Sequence, residues 1–144
     1  MTELLLIARI AGERVAIPAA YVEAVVEIDG IAAVPRAAPH VAGLAALRSR
    51  VLTVVDCRLS LELGRSRQEG ACEAIMVPCD GHSYALLVDA VDDVVEFSGE
   101  VGPIQTSIAD GWRRVATGLV EAGGDLLLLL DPHALIAGPV REAA

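Results

Sequence analysis

The chain has 144 residues, 54% hydrophobic and 22% charged, with only 3% aromatic. That composition excludes a disordered chain and calls for aliphatic packing, in one core or two very small ones. A formal net charge of −9 disfavours nucleic acid and anionic membrane as partners, because both present phosphate charge.

The N-terminus, MTELLLIARIAGERV, has neither a basic leader nor a long apolar stretch, so it is not expected to be a signal peptide. Leu4 to Ile10 and Arg14 to Ile17 read as two strands joined at Gly12. Pro18 to Val22 reads as a short turn or helical turn, and Glu23 to Ile28 as a third strand. A loop carrying Pro35 and Pro39 leads to a second hairpin, Val41 to Leu47 and Val51 to Cys57, turning at Arg48-Ser49-Arg50. Asp56 precedes a candidate short helix at Leu59 to Leu63. The same order then returns. Glu73 to Pro78 and Ser83 to Val88 flank Asp80-Gly81, a turn falls at Asp89-Ala90, and Asp93 to Phe97 reads as a strand. Val115 to Val120 and Leu126 to Leu130 flank Gly123-Gly124. Asp131 as N-cap and Pro132 at the first helical position open a short helix to Ala137. The run Leu126 to Leu130 is far short of the roughly 20 residues that span a bilayer, and the expected location is cytoplasmic.

The recurrence is residue by residue. ARIAGERVAIPAAYVEAVVEI (Ala8 to Ile28) lies over VPCDGHSYALLVDAVDDVVEF (Val77 to Phe97), so that Gly12 meets Gly81, 69 positions on. Val25, Val26 and Glu27 meet Val94, Val95 and Glu96. GLAALRSRVLTVVD (Gly43 to Asp56) lies over GLVEAGGDLLLLLD (Gly118 to Asp131), now 75 positions on, which implies six extra residues in the second connection. A duplicated unit follows, one copy over about 4–62 and the other over about 73–137, with exchange of strands between the lobes left open. Five short strands rich in Val, Ile and Leu per lobe favour a small closed or half-closed barrel, which buries one aliphatic face and removes most edges.

Reactive constellations are missing from the sequence. There is no Gly-rich phosphate loop and no GxSxG serine. His40, His82 and His133 are isolated, so no catalytic set, metal site or cofactor is expected. The acidic residues Asp89, Asp92, Asp93 and Glu96 do not share one strand face and read as a solvated strand edge. Cys57 sits in an apolar run as a buried thiol, and a Cys72–Cys79 pairing is the minor alternative.

GLAALRSRVLTVVDCR (Gly43 to Arg58) resembles the signature of the CheW family, G-x-x-N-L-R-G-x-x-x-P-V-x-D-L-R, matching at Gly43, Leu47, Arg48, Val54 or Val55, Asp56 and Arg58. LLVDAVDDVVEF (Leu86 to Phe97) resembles a second family signature, and VPRAAPHVAG and LLLLLDPHALI resemble its loop and its closing strand and helix. The sequence departs from the pattern at Ala46, Ser49, Thr53 and Cys57, where the family has Asn, Gly, Pro and Leu. A glycine with positive φ replaced by Ser49 would leave that serine strained or the turn altered.

The resemblance implies an all-β fold of two five-stranded SH3-like barrels. It implies a non-catalytic adaptor that binds the cytoplasmic tip of a methyl-accepting chemoreceptor and the regulatory domain of a CheA-type histidine kinase, recruited to membrane-associated arrays without membrane insertion. Carried over by position, Val22, Arg48 and Val94 match receptor-contacting places, and Ala85 matches a small residue lining the same groove. Pro35, Pro39, Val41, Leu44 and Leu47 are the candidates for the kinase face. Two other readings stay open: a CheW-like scaffold of another kinase pathway, and a small-ligand sensor binding between the lobes.

Overall fold

The structure is a computed structural model that describes residues 2–64 and 71–139. In chain order it contains β1 (Glu3–Ile10), β2 (Glu13–Pro18), a 3₁₀ turn (Ala19–Tyr21), β3 (Ala24–Ile28), β4 (Val41–Leu47), β5 (Arg50–Asp56) and α1 (Cys57–Ser60). β6 (Cys72–Cys79), β7 (His82–Leu87), β8 (Ala90–Phe97), α2 (Asp110–Val115), β9 (Ala116–Ala122), β10 (Asp125–Leu130) and α3 (Pro132–Ala137) follow. All four expected hairpins form, each with a two-residue loop, as the pairs Ile10–Glu13, Leu47–Arg50, Cys79–His82 and Ala122–Asp125 show. In three of them both loop residues have positive φ: Ala11-Gly12, Asp80-Gly81 and Gly123-Gly124. That is the backbone whose twist matches the flanking strands.

The strands form two five-stranded curled sheets, ordered β8-β1-β2-β10-β9 and β3-β6-β7-β5-β4. Each sheet takes its leading hairpin from the other half of the chain. β1 and β2 join β8, β9 and β10, and β6 and β7 join β3, β4 and β5. The two orders superimpose strand for strand, including the parallel pairs β2–β10 and β5–β7.

Strand alternation explains why these two hairpins sit where they do. On β1, Leu5 and Ile7 point into their own barrel, while Leu6, Ala8 and Ile10 point into a central cluster between the sheets. On β6, Ala74 and Met76 point into the second barrel, while Ile75 and Val77 face the central cluster. Both faces of these strands are therefore buried, and their sequences read as apolar runs instead of alternating patterns. Full burial of each such Leu, Ile or Val stabilises by about 1.5–3 kcal/mol.

The three helices close the central cluster with Cys57, Leu61, Trp112, Val115 and Leu135. Asp56 and Asp131 accept hydrogen bonds from the first backbone N–H groups of α1 and α3, so the aspartates matched in the repeat are matched N-caps. α2 is six residues long and lies in the longer second connection; the sequence does not announce it, since Ala109 at its N-cap makes no side-chain bond. Arg114 on α2 donates to the carbonyls of Ser60 and Ala134, and the Ser60 hydroxyl donates to the Leu135 carbonyl at 2.7 Å. One guanidinium thus ties all three helices together, and its partial burial lowers its pKa.

None of the three cysteines is in a disulfide. Cys72 and Cys79 stand at opposite ends of β6, which removes the paired alternative. Cys57 is buried, and desolvation pushes its thiol far above the ordinary range, so it should resist thiol reagents until the protein unfolds.

α2 can approach α1 only because residue 111 is glycine. A Cβ there would lie 1.9 Å from the Leu61 carbonyl oxygen. Gly111→Ala should lower stability by about 2–3 kcal/mol, within the range for overpacking, measurable as a shifted urea midpoint at unchanged slope.

Candidate docking groove

The second barrel leaves an open groove of about 730 Å³, lined by Glu23 to Glu27, by Leu47 to Arg50 at the β4–β5 tip, and by Met76. One wall is the edge strand β3 and the other is the hairpin turn. The groove carries two glutamates, two arginines and the half-exposed Val25.

The hairpin turn breaks the rule the other three obey. Arg48 has φ 51°, whereas Ser49 does not have positive φ. Of the two expected outcomes, strain at Ser49 or an altered turn, the structure shows the altered turn: the left-handed residue is the arginine. Such a conformation costs a non-glycine residue about 1–2 kcal/mol, and cost of this kind concentrates at functional positions. Among the described residues Arg48 makes no hydrogen bond or ion pair, and it is exposed. Arg50 is held, with Nη1 3.2 Å from Glu23 Oε2 and Nη2 on the Ser83 hydroxyl.

The other expected receptor residues scatter. Val22 ends the 3₁₀ turn beside Glu23 and packs against the central cluster, so it supports the start of the groove wall. Val94 is 49% exposed but belongs to β8 of the other sheet, opposite Leu6. Its partner in the repeat, Val25, is 43% exposed and does line the groove. The duplicated alignment contained that signal. Ala85 is a correction: it is fully buried in the second barrel core with Val54 and Met76, and it presents no surface to any partner. A small residue there is required by packing under β5 and β6.

Of the expected kinase residues, Pro35 and Pro39 lie exposed in two tight turns, Val34 to Ala37 and Ala38 to Val41. An Ala32–Leu44 bridge holds this loop against β4. Leu44 shares the outer face of the hairpin with Ala46, Val51 and Thr53, and Val51 is 58% exposed. Val41 is half-buried, and Leu47 lines the groove beside Arg48.

The acidic residues are exposed, with Asp92, Asp93 and Glu96 on the edge strand β8, as expected, and two of the four also hold structure. Asp89 accepts from the Gly12 N–H at 2.8 Å, and Asp92 lies 3.0 Å from Arg9 Nε and 3.4 Å from Arg14 Nε. His40 is buried with Nε2 2.7 Å from the Ile136 carbonyl, His82 bonds Thr53, and His133 packs edge-on against Tyr21. Among the described residues no His, Cys, Asp and Glu cluster could hold a metal ion. No described helix is long and apolar enough to cross a membrane. The junction between the sheets is packed with buried, mostly aliphatic side chains.

Two sheets sharing one core, with an open groove bordered by Arg48, define a small two-barrel β module. The CheW-like domain model matches residues 4–139. The chemotaxis protein CheW of Rhizobium meliloti (strain 1021) is 30% identical over 113 residues, 76% of this chain and 72% of that protein. The scaffolding protein TtCheW from Thermoanaerobacter tengcongensis superimposes with a TM-score of 0.78 at 21% identity, over 94% of this chain and 88% of that one. The chain belongs to the CheW family, a family of non-enzymatic scaffolds and adaptors of chemotaxis.

Replacing Arg48 with glycine separates fold from function. The left-handed cost of about 1 kcal/mol disappears, offset by about 0.5 kcal/mol of extra chain entropy. Arg48→Gly should therefore be about 0.5 kcal/mol more stable in urea unfolding while losing any partner that the guanidinium binds.

Proposed function

We propose that this chain couples the cytoplasmic hairpin tip of a methyl-accepting chemoreceptor to the regulatory domain of a CheA-type histidine kinase. It acts in the cytoplasm, within membrane-associated arrays, and does so by positioning, without turnover of any substrate. The observation that carries this reading is Arg48, an exposed arginine without a partner among the described residues, set in a left-handed turn on the lip of an open groove. A receptor tip is a helical hairpin, and the apolar residues Ala24 to Val26, Leu47 and Met76 in the groove suit such an element's apolar face, with charged residues at its margins. The guanidinium adds a planar fork of donors that fixes the hairpin's orientation. Val25 forms the apolar side of that contact with Val22 supporting it from the central cluster, and Val94 offers a matching face on the first barrel.

The kinase face is assigned to the outer surface of the β4–β5 hairpin with the loop bridged to it: Leu44, Val51, Pro35 and Pro39. This surface is apolar, exposed and rigidly held, as a docking core requires. Val41 and Leu47 support it from below and beside it. Because both faces share one hairpin, occupancy of the groove reaches the kinase face through β4 and β5, a coupling between two binding sites.

Arg48→Ala should fold normally and weaken binding of a purified receptor cytoplasmic fragment by about 2 kcal/mol, roughly 30-fold, with kinase regulatory domain binding unchanged. Calorimetric titration of both partners measures this. Unchanged receptor affinity would remove the groove from the receptor site.

A further inference from the structure

We infer that Arg50 is a positioning residue, which keeps Arg48 available by holding the hairpin tip and by occupying the carboxylate that Arg48 would otherwise meet. The inference rests on the docking role proposed for Arg48 and extends it to a second residue.

Arg50 stands at the first position of β5, two residues past Arg48. Its guanidinium bridges three separate segments. Nη1 reaches Glu23 Oε2 at 3.2 Å, just before β3, and Nη2 reaches the Ser83 hydroxyl near the start of β7. β3 and the β4–β5 tip are the opposite walls of the groove, so the Arg50–Glu23 pair spans it. An exposed ion pair of this kind adds little to global stability. Its geometric consequence is larger, because a planar fork bonded to two elements fixes the tip relative to both.

The charge arrangement gives the second effect. Glu23 and Glu27 lie on the wall facing Arg48. With Glu23 held by Arg50, Arg48 is left without a partner among the described residues; with Arg50 removed, Glu23 becomes an acceptor that competes with any partner for Arg48. The neighbouring contacts fit a braced tip: Thr53 bonds His82 at 2.8 Å, and His82 packs edge-on against Tyr84. Ser83 itself does not line the groove, so a change there reaches a docked partner only through Arg50.

The test is a double-mutant cycle read by titration of a purified chemoreceptor cytoplasmic fragment from the same genome. Arg50→Ala should weaken binding about five- to tenfold alone and less than twofold in an Arg48→Ala background. Ser83→Ala should weaken it about two- to threefold. Arg50→Lys, a single point charge, should retain part of the affinity. Equal losses in both backgrounds would make Arg50 a direct contact and overturn the inference, as would wild-type binding by Arg50→Ala. Amide hydrogen exchange at Arg48 and Ser49 reads the brace without any receptor and should be faster in Arg50→Ala. If Arg48→Ala binds normally the docking role fails, and faster exchange in Arg50→Ala would still establish the brace; unchanged exchange would overturn it.

Discussion

Everything in this molecule depends on the double-sided burial of two hairpins. β1–β2 and β6–β7 each give one face to a barrel and the other to the central cluster, so neither barrel is complete without residues from the opposite half of the chain. The exchange turns two small lobes, each marginal by itself, into one cooperative unit with a shared core. Leu6, Ile10, Ile75 and Leu86 are buried in that shared layer and belong equally to both lobes. The helices and the Arg114 clamp then close the ends of the layer.

That architecture dictates where a partner can bind. The central strands have no free face, so recognition is left to the edge strands, the hairpin tips and the outer surfaces of β4–β5 and β9–β10. The groove lies between such an edge, β3, and such a tip. The kinase face proposed for Leu44 and Val51 lies on the opposite surface of the same hairpin. In the proposed scheme two partners would meet one hairpin from two sides, which would couple their binding.

The duplication sharpens this by showing what was kept and what was changed. Gly43 and Gly118, matched in sequence, each lie against the incoming connection: a Cβ would sit 2.2 Å from the Ala32 carbonyl oxygen or 2.8 Å from that of Gly102. Both connections make the same single bridge onto the following strand, Ala32–Leu44 and Gly102–Leu119. Val25 and Val94 are both exposed, as are Val51 and Leu126. The hairpin tips differ: glycines occupy the left-handed positions at 123 and 124, whereas the first copy places an arginine at φ 51°. The packing of the two copies is thus symmetric while their tips differ, and the arginine tip borders the groove for which docking is proposed.

The amino-acid sequence alone determined the class of fold, the four hairpins, the duplication and the Asp131 cap, while the cap at Asp56 and the helix at Cys57–Ser60, in place of the expected Leu59 to Leu63, came from the structure. Each of these is local: a turn needs its own glycine or left-handed residue, a strand its β-branched run, a cap its side chain. It also singled out Arg48, through a family pattern and not through its surroundings. Only the tertiary structure decided which sheet each hairpin joins, because an apolar run buried on both faces carries no mark of which side faces which lobe. Only there did Ala85 become a packing residue, Val25 and Glu23 become neighbours of Arg48, and Glu23 become the partner of Arg50. Segments 23–27, 47–50 and 83 are distant in the chain, and the curl of a sheet, which no local pattern encodes, brings them together.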